Sequence, residues 1–304
     1  MTSVLEKPDP LARQTKKAAQ LLIASARHSY DPMVDIKWDE PLVEGKWFLA
    51  ERRCSLYGTE LWDTLSLEQK ILLSREELAA SLAVGVWTEH VLLHLVSRYV
   101  YKRDVSSPQV QFALTEVADE VRHMIMFAKL IEVIGSEIYP TPEKTLKNGL
   151  VLKTFAPVPA LWAMILLTEE FFDRFQREQS NDETIQPLVR TVARIHVVEE
   201  ARHISFARTE LERFVPTLSK VKLDLLRRFL AGVVKSMRRE RYNPLMYQRA
   251  GLDPKAAVAA AKSNPHAIEN AKYGAERISA YYKSIGLIGG KSEKVWREAG
   301  WLSD

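Results

Sequence analysis

Two short runs of this sequence have the residue types and spacing to do chemistry. Residues 119–123 read Asp-Glu-Val-Arg-His, and residues 199–203 read Glu-Glu-Ala-Arg-His. In a helix, residues three apart share a face, so Glu120 with His123, and Glu200 with His203, can each aim a carboxylate and an imidazole at one point. Each pair is half of a metal site. One Glu-x-x-His has little weight alone. The weight comes from Glu89, 31 residues before Glu120, and Glu169, 31 residues before Glu200, each within a long apolar run. One Glu from each of two helices, with a Glu-x-x-His from each of two others, is the inward-facing donor set of a bundle that binds two metal ions.

A carboxylate inside such apolar runs costs several kcal/mol of desolvation unless it is neutralised, paired or bound to a cation. A plain structural alternative pairs Glu89 and Glu169 with Arg122 and Arg202, but it gives His123 and His203 no reason to stand at matching offsets. Glu170 competes with Glu169 and points about 100° away on the helix. The repeat offset favours Glu169. His196 precedes His203 by seven residues and shares its stripe; by spacing it is either a core histidine bonded to a carbonyl or a third imidazole donor. The matching position in the first run is Glu116. His90 and His94 lie off the Glu89 face. A donor set of oxygen and nitrogen suits iron or manganese better than metals that prefer thiolates, and reduced iron binds dioxygen. Asp119, Arg122, Glu199 and Arg202, adjoining the donors, are placed to orient them.

These residues need helices to hold them. Gly is scarce at 12, the chain is 46% hydrophobic, and no strand alternation of any length appears. The pattern predicts helices over 11–28, 45–57, 67–103 and 108–135. It predicts a core helix from the apolar stretch 150–167, with the third bundle helix starting at 160. Ser180-Asn181-Asp182 closes that helix and caps a fourth, which runs to 214 with Pro187 in its first turn. A basic helix over 218–241 and two short helices opened by Asp253-Pro254 and Asn264-Pro265 follow. The expectation is one all-α domain over 1–304, with the metal-binding bundle at 65–214 and helices at 218–285 flanking it.

Composition excludes several classes. Lys and Arg number 43 against 39 acids, with no aromatic-basic interleaving, so no nucleic-acid partner is expected. Lys153, Pro157 and Pro159 interrupt the longest apolar stretch, so no membrane span is expected. Cys54 is alone and forms no intrachain disulfide, and no basic-then-apolar leader opens the chain; both point to the cytoplasm. The glycines at 286–290 do not make a phosphate loop, since Ile285 stands where a glycine is required. Without a dinucleotide fingerprint or a cysteine cluster, electrons must come from a separate reductase or a small mediator.

Over about 65–214, half of the chain, the sequence resembles the ferritin-like diiron proteins. The His-x-x-x-Glu-x-x-His run at His196, Glu200 and His203 makes it similar to their p-aminobenzoate N-oxygenase (AurF-like) branch, which has a third histidine ligand there. The resemblance implies a ferritin-like four-helix bundle with additional N- and C-terminal helices and the metal ligands Glu89, Glu120, His123, Glu169, His196, Glu200 and His203. It implies two iron ions, with manganese as the alternative, and dioxygen as co-substrate. It also implies a homodimer that takes an aromatic amine through the hydroxylamine towards the nitroso or nitro compound. Arg277, on a helix with Tyr273, Tyr281 and Tyr282, is the candidate to pair with a substrate carboxylate. The rival expectations are a desaturase or carbon hydroxylase, a ferritin-like protein that oxidises and stores iron, and a metal-free helical scaffold.

Overall fold

Proline and small polar side chains set where the helices begin. Thr59 caps the short α2 (Glu60–Asp63), and Ser66 makes a reciprocal capping box with Gln69 and opens α3 (Leu67–Val100). Ser107 caps α4 (Pro108–Val133), whose first residue is a proline. Pro187 likewise occupies the first turn of α7 (Pro187–Phe214), and Asn243, Asp253 and Asn264 each cap a helix that starts with proline: α9 (Pro244–Arg249), α10 (Pro254–Ser263) and α11 (Pro265–Ser284). The computed structural model describes residues 10–302. The expectation that no leader opens the chain concerns residues 1–9, outside the described residues. Among the described residues the chain is all-α, with one isolated bridge between Trp47 and Ile185.

The bundle is made of α3, α4, α6 (Val158–Asn181) and α7. α3 packs on α4 and α6 on α7; α5 (Glu143–Phe155) lies in the long connection between these pairs and rests on α3, the topology of a bundle with one crossover. There Gly149 lies so close to Trp87 that a Cβ would approach the indole to 3.0 Å. α1 (Pro10–Arg27) lies against α4 and α7. α8 (Lys220–Glu240) and α11 cover α6, and α9 covers α3. α3 is long and apolar enough to cross a membrane by length and composition; here it is a bundle helix with Glu76, Glu77 and Glu89 buried.

The buried side chains fall into two apolar clusters. One joins Val91–Tyr99 positions of α3, Phe112 of α4, residues 160–167 of α6 and Phe206 and Leu211 of α7. The other joins Leu73 to Ala83 positions of α3, Met126 to Ile131 positions of α4 and Leu188 to Ile195 positions of α7. On every bundle helix that enters both, the Glu and His residues of interest fall between the two. At roughly 1.5–3 kcal/mol per buried large apolar side chain, these two clusters hold a polar layer that would not assemble alone.

Four expectations need correction. Residues 45–57 are not a helix: only Glu51–Arg53 forms a short 3-10 turn, because Trp47 N donates to Thr184 O at 3.0 Å and Gln186 N donates to Trp47 O at 2.8 Å. The stretch 150–167 is not one helix. Ala156, extended as a residue before proline must be, separates α5 from α6 and leaves Leu150, Val151 and Phe155 exposed. Asp182 does not cap α7; it ends α6 in an Asx turn, accepting from Thr184 N at 3.0 Å, and α7 begins at Pro187. In addition, α11 is a 20-residue helix rather than a short one.

Candidate metal centre

Helical periodicity sets the stripes that face inward: Glu89 on α3, Glu120 and His123 on α4, Glu169 on α6, and His196, Glu200 and His203 on α7. All seven are buried, and His123 and Glu200 have no exposed surface at all. Their donor atoms converge in three overlapping sets: Glu89, His123 and His196; Glu120, Glu200 and His203; Glu169, His196 and Glu200. Within each set the atoms lie within 4.8 Å of one another. Glu120 and Glu200 stand between the imidazoles: His123 Nδ1 is 3.1 Å from Glu120 and 3.2 Å from Glu200, and His203 Nδ1 is 3.1 Å from Glu200 and 3.3 Å from Glu120.

The far nitrogens of these imidazoles are held by the opposite half of the repeat. His123 Nε2 bonds Glu199 of α7 at 2.9 Å, and His203 Nε2 bonds Asp119 of α4 at 3.2 Å. A donor N–H on Nε2 leaves Nδ1 as the lone pair that faces inward. Arg202 donates to Asp119 at 3.2 Å, and Arg122 pairs with the other Asp119 oxygen. The arginines therefore serve Asp119 and Glu199, and the alternative that paired them with Glu89 and Glu169 is not what the structure contains.

His196 tests whether a cation fits. Gln176 Oε1 accepts from His196 Nδ1 at 2.7 Å, so Nε2 carries a lone pair. Burial, with the charge of His123 adding to it, pushes this imidazole down to about 3. Its Nε2 has no hydrogen-bond partner, nor do Glu89 Oε2 and Glu200 Oε1. Nε2 faces Glu89 Oε1 and Glu200 Oε1, each at 3.6 Å. A lone pair aimed at two carboxylates is repulsive unless something positive stands between them, so the residues present fit a metal ion. The other groups agree. Burial, followed by their carboxylate neighbours, raises Glu89 and Glu169 well above the usual range. Burial would also raise Glu200, but His203 and His196 hold it well below. Burial would lower His123 and His203, and the surrounding carboxylates overcome it and hold both well above. The buried cluster is thus able to bind metal ions.

Several residues fall elsewhere. Arg277, expected to meet a substrate carboxylate, is exposed on α11. Its helix turns Ile278, Ser279 and Tyr282 inward instead. His90 and His94 are exposed. Glu170 is buried and paired with Arg208, facing away from the cluster. Sequence reasoning missed Gln176, although its position seven residues after Glu169 puts it on the same stripe. It also missed Phe127, four residues after His123, whose ring lies 4.9 Å from that of His196 and 6.4 Å from that of His123. No local pattern marks His28, Ser29 and Tyr30. Their segment receives Arg202 on His28 O at 3.1 Å and Arg122 on Ser29 Oγ at 3.0 Å, and Tyr30 N donates to Glu199 at 3.1 Å.

A family model described as p-aminobenzoate N-oxygenase AurF matches residues 12–286. The chain belongs to the AurF family. Its curated relatives include uncharacterized proteins of Mycobacterium tuberculosis and Mycobacterium bovis, each 27% identical over 220 residues, covering 69% of this chain and 64% of the relative. The chain therefore spans about 64% of the length of those relatives. Among solved structures, a mutant R2-like ligand-binding oxidase with an anaerobically reconstituted Mn/Fe cofactor aligns at a TM-score of 0.43 and 14% identity, over 98% of this chain and 91% of that one.

Proposed function

We propose that the protein is a dimetal oxygenase that uses dioxygen to N-oxygenate an aromatic amine of the p-aminobenzoate kind, through the hydroxylamine towards the nitroso or nitro product. The observation that carries the reading is His196: a third imidazole, kept neutral, with its lone pair turned into the Glu cluster. Two iron ions, or manganese in their place, would be held by Glu89, Glu120, His123, Glu169, His196, Glu200 and His203. Bound there, they supply redox chemistry with dioxygen. The chain supplies the rest. Asp119 and Glu199 fix the tautomers of His203 and His123, Gln176 fixes that of His196, and the two apolar clusters keep water from the layer between them. Electrons come from a separate reductase.

The test is His196→Ala. It is expected to lower metal affinity by roughly 10–100-fold and to abolish formation of arylhydroxylamine from p-aminobenzoate. Unchanged metal loading and unchanged product would remove the support for N-oxygenation; they would favour a carbon hydroxylase or desaturase, which has no need of this imidazole. We also propose a homodimer, supported by the exposed apolar residues Leu114, Val121 and Ile125 along α4. Light scattering is expected to give the mass of two chains. The mass of one chain contradicts a dimer, and that of a many-subunit cage favours iron storage.

A further inference from the structure

α4 carries a buried glutamate, Glu116, that the seven donors leave out. Glu116 is 2% exposed, and neither of its carboxylate oxygens has a hydrogen-bond partner. It sits four residues before Glu120 and seven before His123, on the stripe that these two share. On α7 the residue at those same offsets from Glu200 and His203 is His196. The internal repeat, which puts Glu199 on His123 and Asp119 on His203 across the bundle, thus puts Glu116 where the other half has its third imidazole. It lies one turn before Asp119 and Glu120, which approach His203 to 3.2 and 3.3 Å, so it stands on the His203 side of the cluster, and burial raises it well above the usual carboxylate range. It stands outside the three closest donor sets.

A buried carboxylate without a partner costs several kcal/mol unless a cation or a proton neutralises it. We propose that Glu116 supplies a carboxylate to the ion held by Glu120, Glu200 and His203, directly or across one water. The inference rests on the dimetal reading above and extends it. The two ions then have unlike surroundings: His196 adds an imidazole on the Glu89 and His123 side, and Glu116 adds an oxygen donor on the other. An added oxygen donor suits manganese better than an added imidazole does, so manganese is disfavoured less in the pocket beside Glu116 than in the one beside His196.

The experiment is a titration of the full chain with Mn2+, followed by the resonance of the free ion and by elemental analysis, for the unaltered protein and for Glu116→Gln. The unaltered protein is expected to bind two ions. In Glu116→Gln one of the two is expected to weaken by roughly 10–100-fold while the other keeps its affinity. Thermal unfolding in chelator checks the fold: the variant is expected to melt no lower than the unaltered protein, because it loses a buried charge and keeps the shape. Two ions at unaltered affinity would overturn the proposal, since a proton then suffices for Glu116. Equal weakening of both ions with a lowered melting temperature would also overturn it, as general loosening. Failure of the unaltered protein to bind any ion would defeat the dimetal reading itself, and this inference with it.

Discussion

Glu77 and Glu200 are both buried carboxylates on bundle helices, yet they are neutralised differently. Glu200 has His203 and His196 beside it and is held ionised. Glu77 accepts from Ser55 N and Ser55 Oγ, the latter also bonded to Tyr247 OH at 2.8 Å, and burial nonetheless pushes it up to about 7. Unfolded, it titrates in the ordinary glutamate range, near 4.5. The folded state therefore holds an extra proton between these values, and the stability this contributes is complete below about 4.5 and lost as pH rises through about 7. Glu77→Gln has no such proton. Its stability relative to the unaltered protein is expected to rise by on the order of 3 kcal/mol from pH 4 to pH 8, read from denaturant midpoints; parallel pH profiles would contradict this. The sequence distinguished the two acids only because Glu200 sits in a repeated Glu-x-x-His. Glu77 lies in a plain helical run, and its partners, Ser55 and Tyr247, are distant in sequence. Arg277 shows the converse: its place after the bundle suggested substrate, but a helix has several faces and no pattern fixed which one Arg277 occupies.

At the scale of elements, the four bundle helices were legible because each joins a capping signal to a long apolar pattern, as Ser66 with Gln69 and Ser107 with Pro108 do. The connections were not. Residues 45–57 have helix-forming composition, but Trp47 pairs its backbone with residues 184 and 186, partners too distant in sequence for any local pattern to announce. The segment 28–30 is a similar case with a consequence for the metal centre. It follows α1 and ties Arg122, Arg202 and Glu199, one or more from each half of the repeat, into a single network. Tyr30→Pro removes the N–H that bonds Glu199 Oε1, while Glu199 Oε2 is the partner of His123 Nε2. Groups that orient a ligand typically change metal affinity by about 10–100-fold when lost, so a fall of about tenfold is expected, with little change in the melting temperature of chelated protein. An unchanged affinity would show that α1 and this segment merely cover the bundle.

At the scale of the whole molecule, one arrangement explains most of the sequence: two apolar clusters with a layer of acids and imidazoles between them. The apolar runs around Glu89 and Glu169 exist to bury those acids, and the repeat exists because two similar helix pairs meet at the layer. Membership in the AurF family accords with this arrangement. Gln176 lay beyond the sequence reading, and Glu116 entered it only as the counterpart of His196, because a stripe on one helix says what faces inward, not what it meets. Ions bound to the folded layer but not to the unfolded chain would stabilise the protein through linkage. The most direct measurement is therefore elemental analysis of protein loaded anaerobically with ferrous iron and freed of loosely held metal, with its melting temperature read in parallel. The account predicts about two irons per chain and a melting temperature raised above that of chelated protein. No retained metal, or a single zinc with no redox chemistry, would contradict it.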